Sequence, residues 1–562
     1  MTDVNNFFKL PTLLEYAHKN FAELDCVSIV DQNPMTYSQM YKKVQEAIKM
    51  LKESGIQRGD KVAILSENMP QWGIAYFAIT YFGAIAVPIL TDFHANEVLH
   101  ILSHSEAIAI FISDKQMDTI VDADLENLLC VMSIESFSLE NKMCKIEMIR
   151  QLVDGIKKSA QDLTARIRHE EHESVKEDDL AVLIYTSGTT GHSKGVMLSH
   201  KNLVSNAMAA KSVVNITPQD RFLSILPLAH TFECTVGFLI PMLHGSSVYY
   251  IQKSPTPSVL MKAFASVRPT YMMSVPLIIE KIYRSKILAK FNNSFLLSRL
   301  YKIPFFRKIL NKKAGQKLME NFGGELKFFG IGGSKLSPYV EEFLTEAHFP
   351  FAIGYGLTET SPLIAGKRPF LNVPFATGPS VYGVEIKIDT PKEGTSDGEI
   401  LVRGPNVMMG YYKDEQKTAE VIQDGWFYTG DLGYLDKDGN LFISGRSKNV
   451  IIGANGENIY PEQIEAIINL NPYVLDSLVF DMDSKLVARI HLDYELIDKN
   501  FDAQHNDEAQ LHHSIEDLLE QVRADVNKQL STFSKVSKYI EQTEPFVKTP
   551  TKKIKRYLYI VD

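Results

Sequence analysis

The residue types best suited to chemistry stand between Tyr185 and Gly195, in the sequence YTSGTTGHSKG. Thr186, Ser187, Gly188, Thr189, Thr190 and Gly191 lead to Lys194 and Gly195. Glycines allow tight turns whose backbone N–H groups point into one space. The hydroxyls and the ammonium add donors, so the loop is suited to holding phosphate. None of its side chains would gain from burial, which excludes a core role. A plain surface linker would gain nothing from hydroxyls and a lysine at set spacing. Walker A loops need Gly-x-x-x-x-Gly-Lys-Ser/Thr, whereas two residues separate Gly191 from Lys194 here. Two carboxylates follow downstream. Glu359, in GYGLTET from Gly354, is a hard oxygen donor suited to Mg²⁺, which also binds phosphate. Asp431, in YTGDLG from Tyr428, can accept from two neighbouring hydroxyls at once.

Each of these residues also has a plainer reading. A tyrosine such as Tyr355 often only packs, and an aspartate after glycine often caps a turn. Arg446 could pair with a carboxylate at the surface, and His230, behind an apolar run, could be a satisfied core residue. Thr186 could be one more phosphate donor and no metal ligand. Lys548, Lys552, Lys553, Lys555 and Arg556 could form a solvated basic tail. The residue types alone leave these alternatives open.

Their order narrows the choice. After the loop come LPLAHTFE from Leu226, GGSKLSP from Gly332, GYGLTET from Gly354 and GEILVRG from Gly398. YTGDLG from Tyr428, SGRSKNVIIGANGENIYPEQIE from Ser444 and TPTKKIKR from Thr549 complete the set. This series resembles the adenylate-forming superfamily of acyl-CoA synthetases, nonribosomal adenylation domains and luciferases, over nearly the whole chain. Within it, VPLIIEKIY from Val275 and the basic stretch that follows are most similar to long-chain fatty acid–CoA ligases.

The resemblance implies ATP, Mg²⁺ and CoA as cofactors and a fatty acid as substrate. Acyl-AMP and pyrophosphate would form first, then acyl-CoA and AMP. It implies that Thr186 to Lys194 grip the pyrophosphate end of ATP, with Glu359 and Thr186 at the metal. Gly332, Gly333 and Ser334 would wall the adenine, and Gly354, Tyr355 and Gly356 would offer it a ring and close backbone. Thr358 would reach the α-phosphate, Asp431 the ribose, and Ile443 and Arg446 the same nucleotide. His230 would stand where acyl and thiol channels meet. Lys553 aligns with the lysine that neutralises charge during adenylation. The family has glycine where this chain has Lys552, so two adjacent lysines compete for the role. Lys448 aligns with a pivot and Gly456 with the face that meets the thiol arm. Three rivals stand beside this reading: a fatty acyl-AMP ligase, an acyl-carrier-protein ligase that uses a phosphopantetheine, and a non-catalytic acyl- or nucleotide-binding protein.

The elements that must position these residues follow from apolar patterning. Lys61–Leu65, Ala107–Ile112 and Leu180–Tyr185 read as buried strands alternating with helices, which predicts an α/β fold on parallel sheets. PQWGIAYFAITYFGAIAVPIL, from Pro70 to Leu90, has the length of a membrane span. Gly83 and Pro88 divide it into a buried helix and a strand instead. Ser159 to Asp179 reads as a polar surface connector. Ile278 to Phe322 reads as a basic helical insertion interleaved with Phe291, Phe295, Leu296, Leu297, Phe305 and Phe306. The favoured expectation there is a solvated helical pair with an apolar underside, and the alternative is an interfacial surface meeting anionic lipid. At 562 residues the chain exceeds one ordinary core. We expect a large N-terminal domain of stacked αβ subdomains, residues 1–447, and a small mobile α+β domain, residues 448–562.

Composition bounds the rest. A net charge of -9 argues against nucleic acid as partner. Cys26, Cys130, Cys144 and Cys234 form no C-x-x-C pair, which fits a reduced compartment. With no basic-then-apolar leader at the N-terminus, the expectation is cytoplasmic. Peripheral membrane contact and a homodimer are left open.

Overall fold

The computed structural model describes residues 8–120, 128, 130–139, 174–186, 193–252, 256–292, 295–390, 397–453, 457–483, 485–501, 508–549 and 553–560. Ser187, Gly188, Thr189, Thr190, Gly191, Gly456, Lys552 and most of the stretch from Ser159 to Asp179 lie outside the described residues.

The apolar runs become strands of two eight-stranded sheets. The first is ordered Gly410–Tyr411, Lys194–Ser199, Leu180–Thr186, Ile85–Ile89, Lys61–Leu65, Ala107–Ile112, Cys130–Ser133 and Ser138–Leu139. Its central pairings are parallel and its edges antiparallel. The second is ordered Leu363–Gly366, Phe351–Gly356, Phe328–Ile331, Tyr271–Ser274, Arg221–Ser224, Ser247–Tyr250, Asp25–Ile29 and Met35–Thr36, again parallel except at the edges. Parallel strands covered on both faces need continuous apolar runs, which is what the sequence provides.

The stretch from Pro70 resolves as the buried reading requires. Pro70–Phe82 is a helix of 13 residues, followed by the strand Ile85–Ile89. Its residues from Trp72 to Thr80 are all buried, because other elements cover every side. Trp72 stacks on Tyr76 at 5.3 Å, and Phe77 meets Phe238 at 5.4 Å. The helix stops at Gly83, whose φ of 86° suits a residue without Cβ. Among the described residues no helix is long and apolar enough to cross a membrane.

A third, antiparallel sheet of five strands carries Glu385–Asp389, Gly398–Arg403, Ile422–Gln423, Trp426–Leu435 and Leu441–Arg446. Beyond it a three-stranded sheet, Val474–Met482, Lys485–Leu492 and Lys538–Glu541, packs with helices Pro461–Ile468 and Glu508–Asn527. Ile464, Ile468, Val479, Ile490, Leu519 and Val522 give it a core of its own. The architecture is α/β, a large N-terminal domain of stacked layers with a smaller C-terminal domain.

The basic insertion is helical, over Pro276–Ile282, Tyr283–Leu288, Phe295–Tyr301 and Pro304–Asn321. The expected apolar underside accounts for only part of it. Phe291 is buried, whereas Phe295, Leu296, Phe305 and Phe306 face outward. Helical spacing gives the reason: Asn311, Gly315 and Leu318 hold the inner face of the last helix, so Phe305 falls on the outer one.

Candidate active site

The second sheet delivers its residues at the carboxyl ends of its parallel strands, where open α/β sheets bind ligands. Phe328–Ile331 ends at Gly332, Gly333 and Ser334. Phe351–Gly356 carries Gly354, Tyr355 and Gly356, and runs on to the short turn Thr358–Thr360 that bears Glu359. A Cβ on Gly356 would lie 1.9 Å from the Pro362 carbonyl oxygen, so only glycine lets the chain double back there. Lys335 Nζ donates to the Ile443 carbonyl at 3.1 Å, joining the Gly332–Ser334 segment to the third sheet.

That sheet supplies Asp431, paired in register with Arg446. Arg446 Nε stands 2.7 Å from Asp431 Oδ1, and the Tyr355 hydroxyl donates to Oδ2 at 2.7 Å. The Asp431 backbone N–H donates to Thr429 Oγ1 at 3.1 Å. Burial pushes the Asp431 carboxyl up, and Arg446 and Tyr355 pull it back toward the charged form. A desolvated carboxylate fixed from two sides is well prepared to accept hydrogen bonds from a diol.

Glu359 and Lys194 come from different sheets and meet at Tyr411. The Tyr411 hydroxyl donates to Glu359 Oε1 at 2.9 Å, and Lys194 Nζ lies over its ring, 5.2 Å from the centroid. Lys194 is register partner to Thr186 at the mouth of the loop. Desolvation first, then Lys417 and Lys448, hold the Lys194 ammonium below the ordinary lysine range, while Asp414 and Glu359 oppose this. Tyr185, at the loop's start, is fixed by a 2.7 Å hydrogen bond between its hydroxyl and His104 Nδ1.

Among the described residues Glu359 Oε2 accepts no hydrogen bond, and no group of three metal-ligating side chains occurs. One free carboxylate oxygen beside the Thr186 mouth fits an ion such as Mg²⁺, which takes few protein ligands and keeps water and phosphate oxygens.

His230 follows the turn after Arg221–Ser224, its Nδ1 accepting from the Phe232 N–H at 3.2 Å. Lys553 arrives from the C-terminal domain on a small hairpin. The Thr549 N–H donates to the Lys553 carbonyl at 2.7 Å, and the Lys553 N–H donates to Thr549 Oγ1 at 3.1 Å. Arg556 anchors this hairpin on Glu465 at 2.7 Å. His230 is half-buried and Lys553 exposed, yet protein atoms stand close enough around both to weaken their charged forms. Desolvation, then the Lys553 charge, pushes His230 down to about 4. Lys553 is itself lowered by desolvation and Arg446, with Asp431 and Glu359 opposing. Lys553 is therefore within electrostatic reach of His230, Asp431, Glu359 and Arg446 together. Lys448 is exposed at the turn Ser447–Asn449, two residues after Arg446, and its charge acts on Lys194.

Tyr411 and His104 escaped the sequence reading. Tyr411 lies in the run GYYK, where Gly410–Tyr411 pairs with Val196 and Met197 of the loop's outgoing strand. An aromatic pair after a glycine was the only local signal. His104 closes an ordinary amphipathic helix and carries none.

The profile of the AMP-binding enzyme family matches residues 15–412. Long chain acyl-CoA synthetase 7, peroxisomal, of Arabidopsis thaliana is 31% identical over 495 residues, covering 82% of this chain and 69% of that one. Fatty acyl-CoA synthetase A of Dictyostelium discoideum is 28% identical over 498 residues, covering 84% and 74%. The crystal structure of the anthranilate CoA ligase AuaEII with anthranoyl-AMP superposes with a TM-score of 0.76 at 20% identity, over 98% of this chain and 96% of that one, a likeness of fold. With its loop mouth, its paired Asp431 and its Glu359 arranged on that fold, and with the family's profile spanning most of its length, the chain belongs to the AMP-binding, adenylate-forming enzymes.

Proposed function

We propose that this enzyme is an ATP-dependent ligase joining medium- to long-chain fatty acids to CoA. The observation that supports it most is the meeting of Lys553 with Asp431, Glu359, Arg446 and His230. A carboxylate is ionised at neutral pH, so its attack on the α-phosphate needs no general base. The obstacle is bringing an anion to a polyanion, which calls for positive charge and in-line positioning. Lys553 and Lys194 supply charge from two sides. Asp431, steadied by Arg446 and Tyr355, holds the ribose, and the residues from Thr186 to Lys194 hold the departing pyrophosphate. Mg²⁺ held by Glu359 and Thr186 would neutralise phosphate oxygens. The acyl oxygen bonds to the α-phosphorus as the bond to pyrophosphate breaks. In the second step the CoA thiolate attacks the acyl carbonyl and AMP leaves.

In this reading residues 448–562 turn about Lys448 between the steps, withdrawing Lys553 and bringing Gly456 toward the thiol arm. The fatty acid assignment draws on the relatives named for long-chain and fatty acyl substrates. An apolar tunnel gains about 0.8 kcal/mol per buried methylene, so rate against chain length reports its depth.

The test supplies carboxylic acids of graded chain length with ATP and Mg²⁺, with and without CoA, and follows pyrophosphate, AMP and thioester. Fatty acid- and CoA-dependent release of AMP with matching acyl-CoA is expected. Pyrophosphate release without acyl-CoA, or thioester formed only on a carrier protein, would overturn the second step. Binding with no pyrophosphate release would overturn the first.

A further inference from the structure

The longest acid-free stretch of the insertion carries charge opposite in sign to the whole protein. From Lys281 to Met319 there are 11 lysines and arginines and not one aspartate or glutamate, in a chain of net charge -9. One face of this stretch is anchored: Tyr283, Ile287, Phe291 and Leu318 join the core around Phe343. The other face is apolar and open. Phe295 is 73% exposed, Leu296 67% and Phe305 69%, with Ile303, Phe306 and Ile309 also exposed.

The cations border these side chains. Arg299 lies over the Phe295 ring at 4.4 Å. On the helix Pro304–Asn321, a rotation of about 100° per residue puts Phe305, Ile309, Lys312 and Lys313 on the face away from Gly315 and Leu318. Arg307 is spent on Glu342 and Glu346, but Lys302, Lys308, Lys312 and Lys313 form no ion pair among the described residues. Exposed aromatic and aliphatic side chains usually mark a contact surface. A protein partner would be expected to offer carboxylates to specific lysines and a hollow for Phe295 and Phe305. Exposed lysines without ion pairs among the described residues, bordering exposed apolar side chains, instead match a diffuse sheet of negative charge over a fluid apolar layer.

We propose that the surface formed by Phe295–Tyr301 and Pro304–Lys313 docks on anionic lipid bilayers, its aromatic side chains entering the headgroup boundary and Lys302, Lys308, Lys312 and Lys313 meeting lipid phosphates. The proposal does not rest on the ligase reading, since docking needs no turnover.

The test sediments the full-length protein with phosphatidylcholine vesicles, with and without phosphatidylglycerol, over a range of salt. Binding to the anionic vesicles is expected, falling as salt rises. Each lysine removed should cost about fivefold in partitioning, so Lys302→Glu, Lys308→Glu, Lys312→Glu and Lys313→Glu together, which also reverse the charge, should cost about 600-fold or more. Phe295→Ser with Phe305→Ser should retain binding at low salt and lose the salt-resistant fraction. Far-UV circular dichroism matching that of the unsubstituted protein, with an unchanged thermal midpoint, shows that the variants fold. Absence of binding to anionic vesicles would overturn the proposal, as would binding that the four-lysine variant retains. A concentration-dependent dimer dissolved by the phenylalanine variant, without vesicle binding, would overturn it by assigning the surface to self-association.

Discussion

Glu233 sits three residues after His230 and offers a measurement that reports on the wall of the site. It is 1% exposed, and its Oε2 has no hydrogen-bond partner among the described residues. The Ser224 hydroxyl supports the carboxylate, and Asn68 Nδ2 donates to Ser224 Oγ at 3.0 Å. Asn68 also accepts from the Leu228 N–H at 2.8 Å, so this group steadies the turn that carries His230. Burial pushes the Glu233 carboxyl from 4.5 up to about 8. The folded protein therefore holds a proton there that the unfolded chain releases near 4.5. The resulting stabilisation is complete below 4.5 and is lost as pH rises through 8.

The slope is about 1.4 kcal/mol per pH unit in that window, or about 2–3 kcal/mol between pH 5.5 and 7.5. Glu233→Gln keeps the shape and the neutral state but does not titrate. Its melting temperature relative to the unsubstituted protein should thus rise between those pH values, by roughly 5 °C for a cooperative unit of about 200 residues. His200, buried, is pushed down to about 4, and its contribution runs the other way, being lost as pH falls from 6.5. It acts equally in both proteins, so the difference isolates Glu233. Scanning calorimetry of the pair at pH 5.5, 6.5 and 7.5 is the assay. A difference that stays flat would mean that Glu233 is ionised at neutral pH, and the account of a dry wall behind His230 would fail.

Lys553→Ala should lower acyl-adenylate formation by about 10²–10³-fold while thioester formation from supplied acyl-adenylate stays within a few fold. Lys552→Ala should leave both steps nearly unchanged, and the reverse pattern would shift the register by one. Asp431→Asn should raise the KM for ATP by about 10–100-fold with little effect on that for fatty acid, since a charged hydrogen-bond acceptor is lost. An equal rise in both would point to misfolding of the third sheet. Tyr411→Phe removes a bond worth about 1 kcal/mol to Glu359, so kcat should fall about fivefold and more Mg²⁺ should be needed for half-maximal rate. An unchanged Mg²⁺ dependence would detach Glu359 from the metal.

What the sequence made legible was whatever is encoded locally. Lys61–Leu65 and Leu180–Tyr185 are continuous apolar runs bounded by turn residues, so their burial could be read directly. Pro70–Phe82 lacks an amphipathic stripe because neighbours cover all its sides, and Gly83 still marked its end. Motif order identified Asp431 and Glu359 but not what holds them. The bond from Tyr355 to Asp431 spans 76 residues and that from Tyr411 to Glu359 spans 52. Such contacts follow from sheet order, which a local pattern does not contain. The insertion shows the opposite failure: its apolar residues were visible, but helical phase relative to Gly315 and Leu318 decided which of them turned outward.

The charges around Lys553 bear on why its hairpin belongs to a separate domain. In the proposed reaction Lys553 serves an approaching carboxylate, and its charge also contributes to keeping His230 neutral. Its own ammonium is held under unfavourable conditions, desolvated and facing Arg446, with Asp431 and Glu359 as the compensation. When pyrophosphate leaves, negative charge leaves with it, and part of the reason for a cation in that place disappears. Desolvation and Arg446 then weigh more heavily against Lys553 staying. The hairpin's grip, Arg556 on Glu465 and Lys548 on Asp476 at 2.7 Å, lies within the C-terminal domain, so withdrawal need not break it. Across the boundary the Lys555–Glu97 pair, at 3.9 Å, is long and weak, while Arg284 Nη1 donates to the Val474 carbonyl at 2.9 Å and the Tyr339 hydroxyl to Gln529 Oε1 at 2.6 Å. In the proposed reaction, withdrawal would exchange these few polar contacts for others, and the charge balance at the site would favour it once pyrophosphate has left.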